Sequence, residues 1–190
     1  MDDLSDVISR VRAGEREAYG QIVERFEQMA VGYATALLGD AHLAEDAAQE
    51  AFLQAFVDLA QLREAAAFPG WFRRIVHKHC DRIHRRRRVQ VVPLDEEQWA
   101  PSDATADPME AGDRRELLGH ALQRLPEDER AVVSLFYLQQ YSQAEVAAFL
   151  EVPVTTVNNR MHSARGHLKQ ELLEMAEQER EPTGTTPLAG

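Results

Sequence analysis

The 190-residue sequence holds a single cysteine, no long apolar run and too few basic residues to balance its acids. Cys80 has no partner in its own chain, so an internal disulfide is excluded, which fits a reducing compartment. No stretch approaches the roughly 20 apolar residues of a membrane helix. The best candidate, Met29–Gly39, is too short and too rich in small side chains. The opening Met1-Asp2-Asp3 is acidic where an export leader is basic, so the sequence predicts a cytoplasmic protein. No window alternates apolar and polar residues over the length of a strand, which leaves an all-α fold. A phosphate-binding glycine loop, a nucleophile triad and a convincing metal set are all missing, so neither enzyme chemistry nor a cofactor is expected.

The shortage of positive charge is uneven. Against 32 acidic residues stand 21 Lys plus Arg, a net charge of −11, which taken whole argues against nucleic acid as a partner. By segment, residues 1–70 carry net −8, residues 71–90 net +7, residues 91–113 net −7 and residues 114–190 net −3. The positive block consists of Arg73, Arg74, Lys78, Arg82 and Arg85 to Arg88, opposed only by Asp81. Phosphate binding depends on this local cluster rather than on the global sum. Alone, Arg85–Arg88 reads equally as a solvated, frayed helix end.

What is present is helix. Leu4, Val7, Ile8 and Val11 recur at helical spacing until Gly14. Ala18 through Leu38 continue the period to Gly39-Asp40, and a third helix covers about Leu43–Leu62, with Ala47, Ala48, Ala51, Phe52, Ala55, Phe56 and Leu59 apolar. After Phe68-Pro69-Gly70 a fourth helix opens at Trp71 and runs to about Arg87. Residues 1–88 thus form a first helical domain. Residues 89–112, with Pro93, Pro101 and Pro108 in an acidic, aperiodic stretch, read as a flexible linker. Residues 113–177 form a second domain. Leu117, Leu118, Ala121, Leu122 and Leu125 precede Pro126, and a helix over Glu127–Gln139 turns Val132, Val133, Leu135, Phe136 and Leu138 toward a core. Residues 178–190, with Pro182, Gly184 and Pro187, read as a disordered tail.

Ser142-Gln143-Ala144-Glu145 is a capping box that opens a helix of about nine residues carrying Val146, Ala147, Phe149 and Leu150. A three-residue break, Glu151-Val152-Pro153, leads into a second helix from Val154 to about Met175, with Val157, Met161, Ala164 and Leu168 inward. That is the helix-turn-helix arrangement, whose second helix enters the major groove. The outward set is then Thr155, Thr156, Asn158, Asn159, His162 and Ser163. Asn can bond adenine bidentately, Thr can pack on a thymine methyl, and Arg160 or Arg165 can hold phosphate. The competing reading is a structural helical hairpin with a polar face.

In the fourth helix, His77, Cys80, Asp81 and His84 fall at i, i+3, i+4 and i+7, and each can bind zinc. Four ligands along one helix do not converge on a tetrahedron, and the neighbouring arginines oppose a dication. No metal is therefore expected.

Several segments together resemble a bacterial sigma factor of the extracytoplasmic-function (ECF) group of the sigma-70 family. Gly14–Tyr19 and Val31–Asp40 resemble the family's opening helices, and Ala44–Phe52 its acidic motif with Gln-Glu and an aromatic. Trp71–Val76 resembles the start of the helix that reads the promoter minus-ten element. Leu125-Pro126 through Arg130, Tyr141–Ala147, Thr156-Val157, Arg160 and Ala164-Arg165 resemble the minus-thirty-five reader. The likeness spans about residues 4–176. It implies that Asp46, Gln49 and Glu50, on one helix face, dock core RNA polymerase at the clamp. It implies that Trp71, Arg73, Arg74, His77, Lys78, Arg82 and Arg85 meet the minus-ten element as duplex and melted non-template strand. The loop Arg63–Pro69 would capture a flipped base, and Trp71 reads as either a stacking surface or plain core. The second domain would meet the minus-thirty-five duplex through Thr155, Thr156, Asn158, Asn159, Arg160, Ser163 and Arg165, and the polymerase flap. An anti-sigma factor is a further candidate partner. The chain departs from the family at Lys78, where Asn is frequent, and at the neutral Asn158-Asn159, which predicts weaker non-specific affinity or a different base preference. The alternatives are a stand-alone helix-turn-helix regulator and a sigma-fold interaction module without promoter activity.

Overall fold

The computed structural model describes residues 3–89 and 117–180, and the described residues contain helices and no strand. Of the acidic linker expected at 89–112, Val89 is the last residue of a helix and 90–112 lie outside the described residues, as does most of the tail expected at 178–190.

Helix α1 (Leu4–Arg12) buries Val7, Ile8 and Val11, and Gly14 breaks it with φ +104°. Helix α2 (Tyr19–Leu38) is the axis of the first domain and has buried side chains from Ile22 to Leu38. It ends at Gly39 in the left-handed conformation (φ +69°), a position glycine fills without a Cβ penalty. Asp40 caps α3 (Ala41–Asp58) by accepting the Leu43 amide at 3.0 Å. Its buried face is Ala44, Ala47, Ala48, Ala51 and Ala55, small side chains that let α3 lie close on the core. Short 3-10 turns at 59–61 and 65–67 lead into α4 (Phe68–Val89), which starts three residues before the expected Trp71. Pro69 is tolerated there because first-turn amides have no intrahelical acceptor. Phe68, Phe72, Val76 and Cys80 form its buried stripe, and the rings of Phe26, Phe52, Phe68 and Phe72 pack 4.5–6.2 Å apart.

The second domain comprises α5 (117–124), α6 (Glu127–Val133), α7 (Gln143–Leu150) and α8 (Val154–Arg180). The helix expected over 127–139 is not uniform: Ser134–Leu138 form a π turn, with the Gln139 amide donating to the Ser134 carbonyl. The wider turn rotates the succeeding side chains off the buried stripe. Val132, Val133 and Leu135 are buried as expected, Phe136 is half-buried, and Leu138 is 38% exposed, a correction to its expected core position. The capping box forms at the expected residues. Ser142 Oγ accepts the Glu145 amide, and the Glu145 carboxylate accepts the Ser142 amide at 2.9 Å. After α7, Glu151 adopts the left-handed conformation (φ +56°), and the Val152 amide closes back on the Ala147 carbonyl at 3.1 Å. The Pro153 carbonyl accepts from Thr156 and opens α8, which continues to Arg180, past the Met175 expected from its apolar spacing.

The two domains pack against each other. A single buried cluster joins Tyr33, Phe72 and Val76 to Leu135, Phe149, Val157 and Met161. The Tyr33 and Phe149 rings meet edge to face at 5.5 Å, and Ser134 Oγ donates to the Gly32 carbonyl at 2.9 Å.

Candidate nucleic-acid interface

Helix α4 presents its cations on the side away from the phenylalanine stripe, as its helical phase requires. Trp71 is half-buried against Phe68 at 5.8 Å, so its ring is both part of the core margin and open at the surface. Lys78 and Arg85 are exposed. Arg82 faces Glu50 on α3 at 3.7 Å, and Arg87 pairs with the helix-capping Asp40 at 2.7 Å. His77 Nδ1 lies 3.1 Å from the Tyr33 hydroxyl, and its Nε2 is 3.7 Å from Asp81. Arg73 and Arg74 both reach across to Glu151 in the turn of the second domain, at 3.2 and 2.5 Å.

The zinc-competent side chains of this helix part company. Cys80 faces the core, and burial pushes its thiol up to about 12. His84 contacts the Leu37 carbonyl, and His77 and Asp81 pair at the surface. No three His, Cys, Asp or Glu side chains converge among the described residues. His79, which the sequence did not single out, is buried with neither ring nitrogen hydrogen-bonded among the described residues. Burial, aided by Arg82, lowers its pKa and keeps the ring neutral.

On α8 the buried stripe is Val157, Met161 and Ala164, with Leu168 only half-buried. Thr155, Asn158, Asn159, His162 and Ser163 are exposed and Thr156 is half-buried, so the side chains expected to point outward do share the outer face. Val154, an apolar side chain 41% exposed, stands at the start of this face, which helical spacing alone did not single out. Arg160 is held by Asp128, and Arg165 stacks over Tyr137 and donates to its hydroxyl. Asp128 and Tyr137 are thus the anchors of the two flanking cations, and they escape a local reading because they lie about 30 residues away.

Asp46, Gln49 and Glu50 are exposed together on α3, opposite its alanine face. The same stripe continues one and two turns on with Leu53, 61% exposed, and Val57, 73% exposed. These two apolar side chains were legible: at 100° per residue they fall in phase with Glu50 and out of phase with Ala47, Ala51 and Ala55. An acidic and amide patch running into exposed aliphatics is the composition of a protein-docking surface.

A capped helix-turn-helix with an open polar face and a second helix rich in arginine have the architecture of a nucleic-acid-binding protein, with a separate exposed stripe on α3. Similarity to known proteins narrows this class. Residues 22–89 match the family model for sigma-70 region 2, and residues 115–168 match that for sigma-70 region 4. The ECF RNA polymerase sigma factor SigM of Mycobacterium tuberculosis is 34% identical over 157 residues, covering 82% of this chain and 78% of that protein. The probable RNA polymerase sigma factor RfaY of Xanthomonas campestris is 33% identical, but its match covers 90% of this chain and 44% of that protein. Among solved structures, the sigma factor RpoE in complex with the anti-sigma factor NepR from Bartonella quintana aligns with a TM-score of 0.59. It is 21% identical, over 82% of this chain and 96% of that one, a likeness of fold. The chain belongs to the ECF group of the sigma-70 family, whose members are transcription-initiation factors of RNA polymerase.

Proposed function

We propose that residues 1–88 of this sigma factor bind the clamp of core RNA polymerase and the melted minus-ten element, and that residues 113–177 bind the minus-thirty-five duplex and the flap. In this reading the α3 stripe, Asp46, Gln49 and Glu50 continued by Leu53 and Val57, is the clamp-docking surface. Trp71, Arg73, Arg74, His77, Lys78, Arg82 and Arg85 serve the minus-ten element. The cations neutralise phosphates, and the open edge of Trp71 offers a stacking surface to an unpaired base. Thr155, Thr156, Asn158, Asn159 and Ser163 read base edges, while Arg160 and Arg165 hold the backbone. The protein works in the cytoplasm without catalytic chemistry of its own, and an anti-sigma factor is a partner by analogy with the RpoE complex.

The observation that carries this reading is the pairing, in one chain of the family, of an arginine-rich helix with an open, neutral helix-turn-helix face. Run-off transcription with purified core polymerase over a genomic promoter library tests it. The expected result is promoter-dependent transcripts only when this chain is added. Duplex binding by the chain alone with no transcript would instead identify a stand-alone regulator.

A further inference from the structure

We infer that Val154 is a base reader of the helix-turn-helix: its methyl groups pack on the C5-methyl of a thymine in the upstream duplex, next to an adenine read by Asn158. The inference rests on the proposed docking of α8 in the major groove at the minus-thirty-five element. Val154 is wholly apolar, yet 41% of its surface is open. Among the described residues it is the one exposed large apolar side chain on the first turn of α8, the part of such a helix that meets base edges. Leu173, the other exposed aliphatic of this helix, lies about five turns further along.

The backbone holds Val154 in a fixed place. With Glu151 in the left-handed conformation, the Val152 amide closes on the Ala147 carbonyl at 3.1 Å, so the turn before α8 is tied to α7. The Pro153 carbonyl accepts the Thr156 amide at 2.9 Å and the Val157 amide at 3.2 Å, which starts the helix at Val154 itself. Val157 and Met161, both buried, then anchor α8 on the core. In a helix valine has one strongly preferred rotamer, whereas threonine divides between two. The Val154 methyls are therefore ordered before any contact is made, and little side-chain entropy is lost on binding. Thr155, exposed beside it, offers a single methyl and a hydroxyl, so Val154 is the better-formed apolar contact of the two.

Thymine is distinguished in the major groove by its C5-methyl, which an apolar side chain can cover, while Asn bonds adenine through N6 and N7. Asn158 stands one turn on from Val154 and is exposed. Side chains at i and i+4 are about 5–6 Å apart at Cβ, close enough to address neighbouring base pairs, which rise about 3.4 Å. Arg160 on Asp128 and Arg165 on Tyr137 are held within the same domain, so the phosphate contacts that set the register of α8 are placed independently of the bases. The valine thus adds discrimination to this face without adding charge.

Replacing thymine by deoxyuridine tests the contact, because it removes the methyl and leaves every hydrogen-bonding group in place. Holoenzyme carrying the full chain is titrated against a duplex promoter fragment recovered by run-off transcription, with deoxyuridine at one upstream thymine at a time. At one position the substitution should weaken binding about fourfold, the loss of one methyl-sized burial. With Val154→Ala the two bases at that position should bind alike, and with Val154→Ile the preference should remain. Alanine removes an exposed side chain and favours helix, so the urea midpoint should not fall. Equal binding at every position would overturn the proposal, as would a thymine preference that persists unchanged in Val154→Ala. Scrambling the whole upstream element separates the two levels: unchanged holoenzyme affinity there would sink the minus-thirty-five reading itself, and the proposal with it.

Discussion

Helix α4 carries the densest positive charge in the chain and is partly covered, whereas the outward face of α8 is nearly neutral and open. Its cations show the same contrast. Arg73 and Arg74 are tied to the other domain, while Arg160 and Arg165 are tied within their own, to Asp128 and Tyr137. Long-range attraction to DNA comes from charge and carries no sequence information, whereas hydrogen bonds from Asn and Thr carry information and little attraction. Under the proposed assignment of α4 and α8 to promoter DNA, the two properties are separated on different domains. The net charge of −11 does not contradict a nucleic-acid role.

The largest expected effect comes from removing the support of the basic helix. Phe72 is fully buried among Phe26, Phe52 and Phe68, so Phe72→Ala should cost about 3–5 kcal/mol in urea unfolding. A loss under about 1 kcal/mol would mean that α4 is not anchored by this stripe. Next is Val57→Asp on the docking face. Its side chain is exposed, so the fold should survive with an unchanged urea midpoint while affinity for core polymerase drops about tenfold. Equal affinity by a binding titration would remove the aliphatic extension from the docking surface.

Much of the fold was legible in the sequence. Gly39, the Asp40 cap, the Ser142–Glu145 box and the Pro153 break are local devices, and each forms where its residue types demand. The stripe Asp46, Gln49 and Glu50 was legible for the same reason, while Leu53 and Val57 were passed over because an aliphatic residue reads as core until its helical phase is counted. The π turn at Ser134–Leu138 was not legible, since nothing in Ser-Leu-Phe-Tyr-Leu departs from ordinary helix formers. Nor was the Glu151 contact. It joins residues 77 and 78 positions apart, and its cue, a glycine at 70, reads locally as a helix start.

A smaller effect separates the two helices directly. Arg82→Ala should reduce the slope of log affinity against log salt by about 0.7–0.9 for promoter DNA in holoenzyme, one phosphate's worth. Asn158→Ala should leave the slope alone and change which upstream sequence is preferred. Equal slope changes in both would erase the division of labour. The smallest effect is in acid. The hydrogen bond from Arg74 holds the Glu151 carboxyl below its ordinary value of 4.5, partly opposed by burial and reinforced by Arg73. The arginines stay charged throughout, so the pair's contribution to the contact between the two domains is complete above that ordinary value and fades as pH falls through the lowered one. Fluorescence transfer between labels on Ala60→Cys and Lys169→Cys, both exposed positions, should therefore be flat near neutrality and fall only in that acid range. A fall centred near neutrality would assign the change to a histidine instead.

The central claim is that two surfaces of one chain read two promoter elements, and a footprint of the holoenzyme on a responsive promoter tests it most directly. With the native chain it should show an upstream protected block and permanganate-reactive thymines at the minus-ten element. Asn158→Ala with Asn159→Ala should weaken the upstream block first, and Arg73→Ala with Arg74→Ala should abolish the reactive thymines while the upstream block remains. If both pairs of substitutions weakened the same element, or neither changed the pattern, the assignment of α4 and α8 to separate elements would be contradicted.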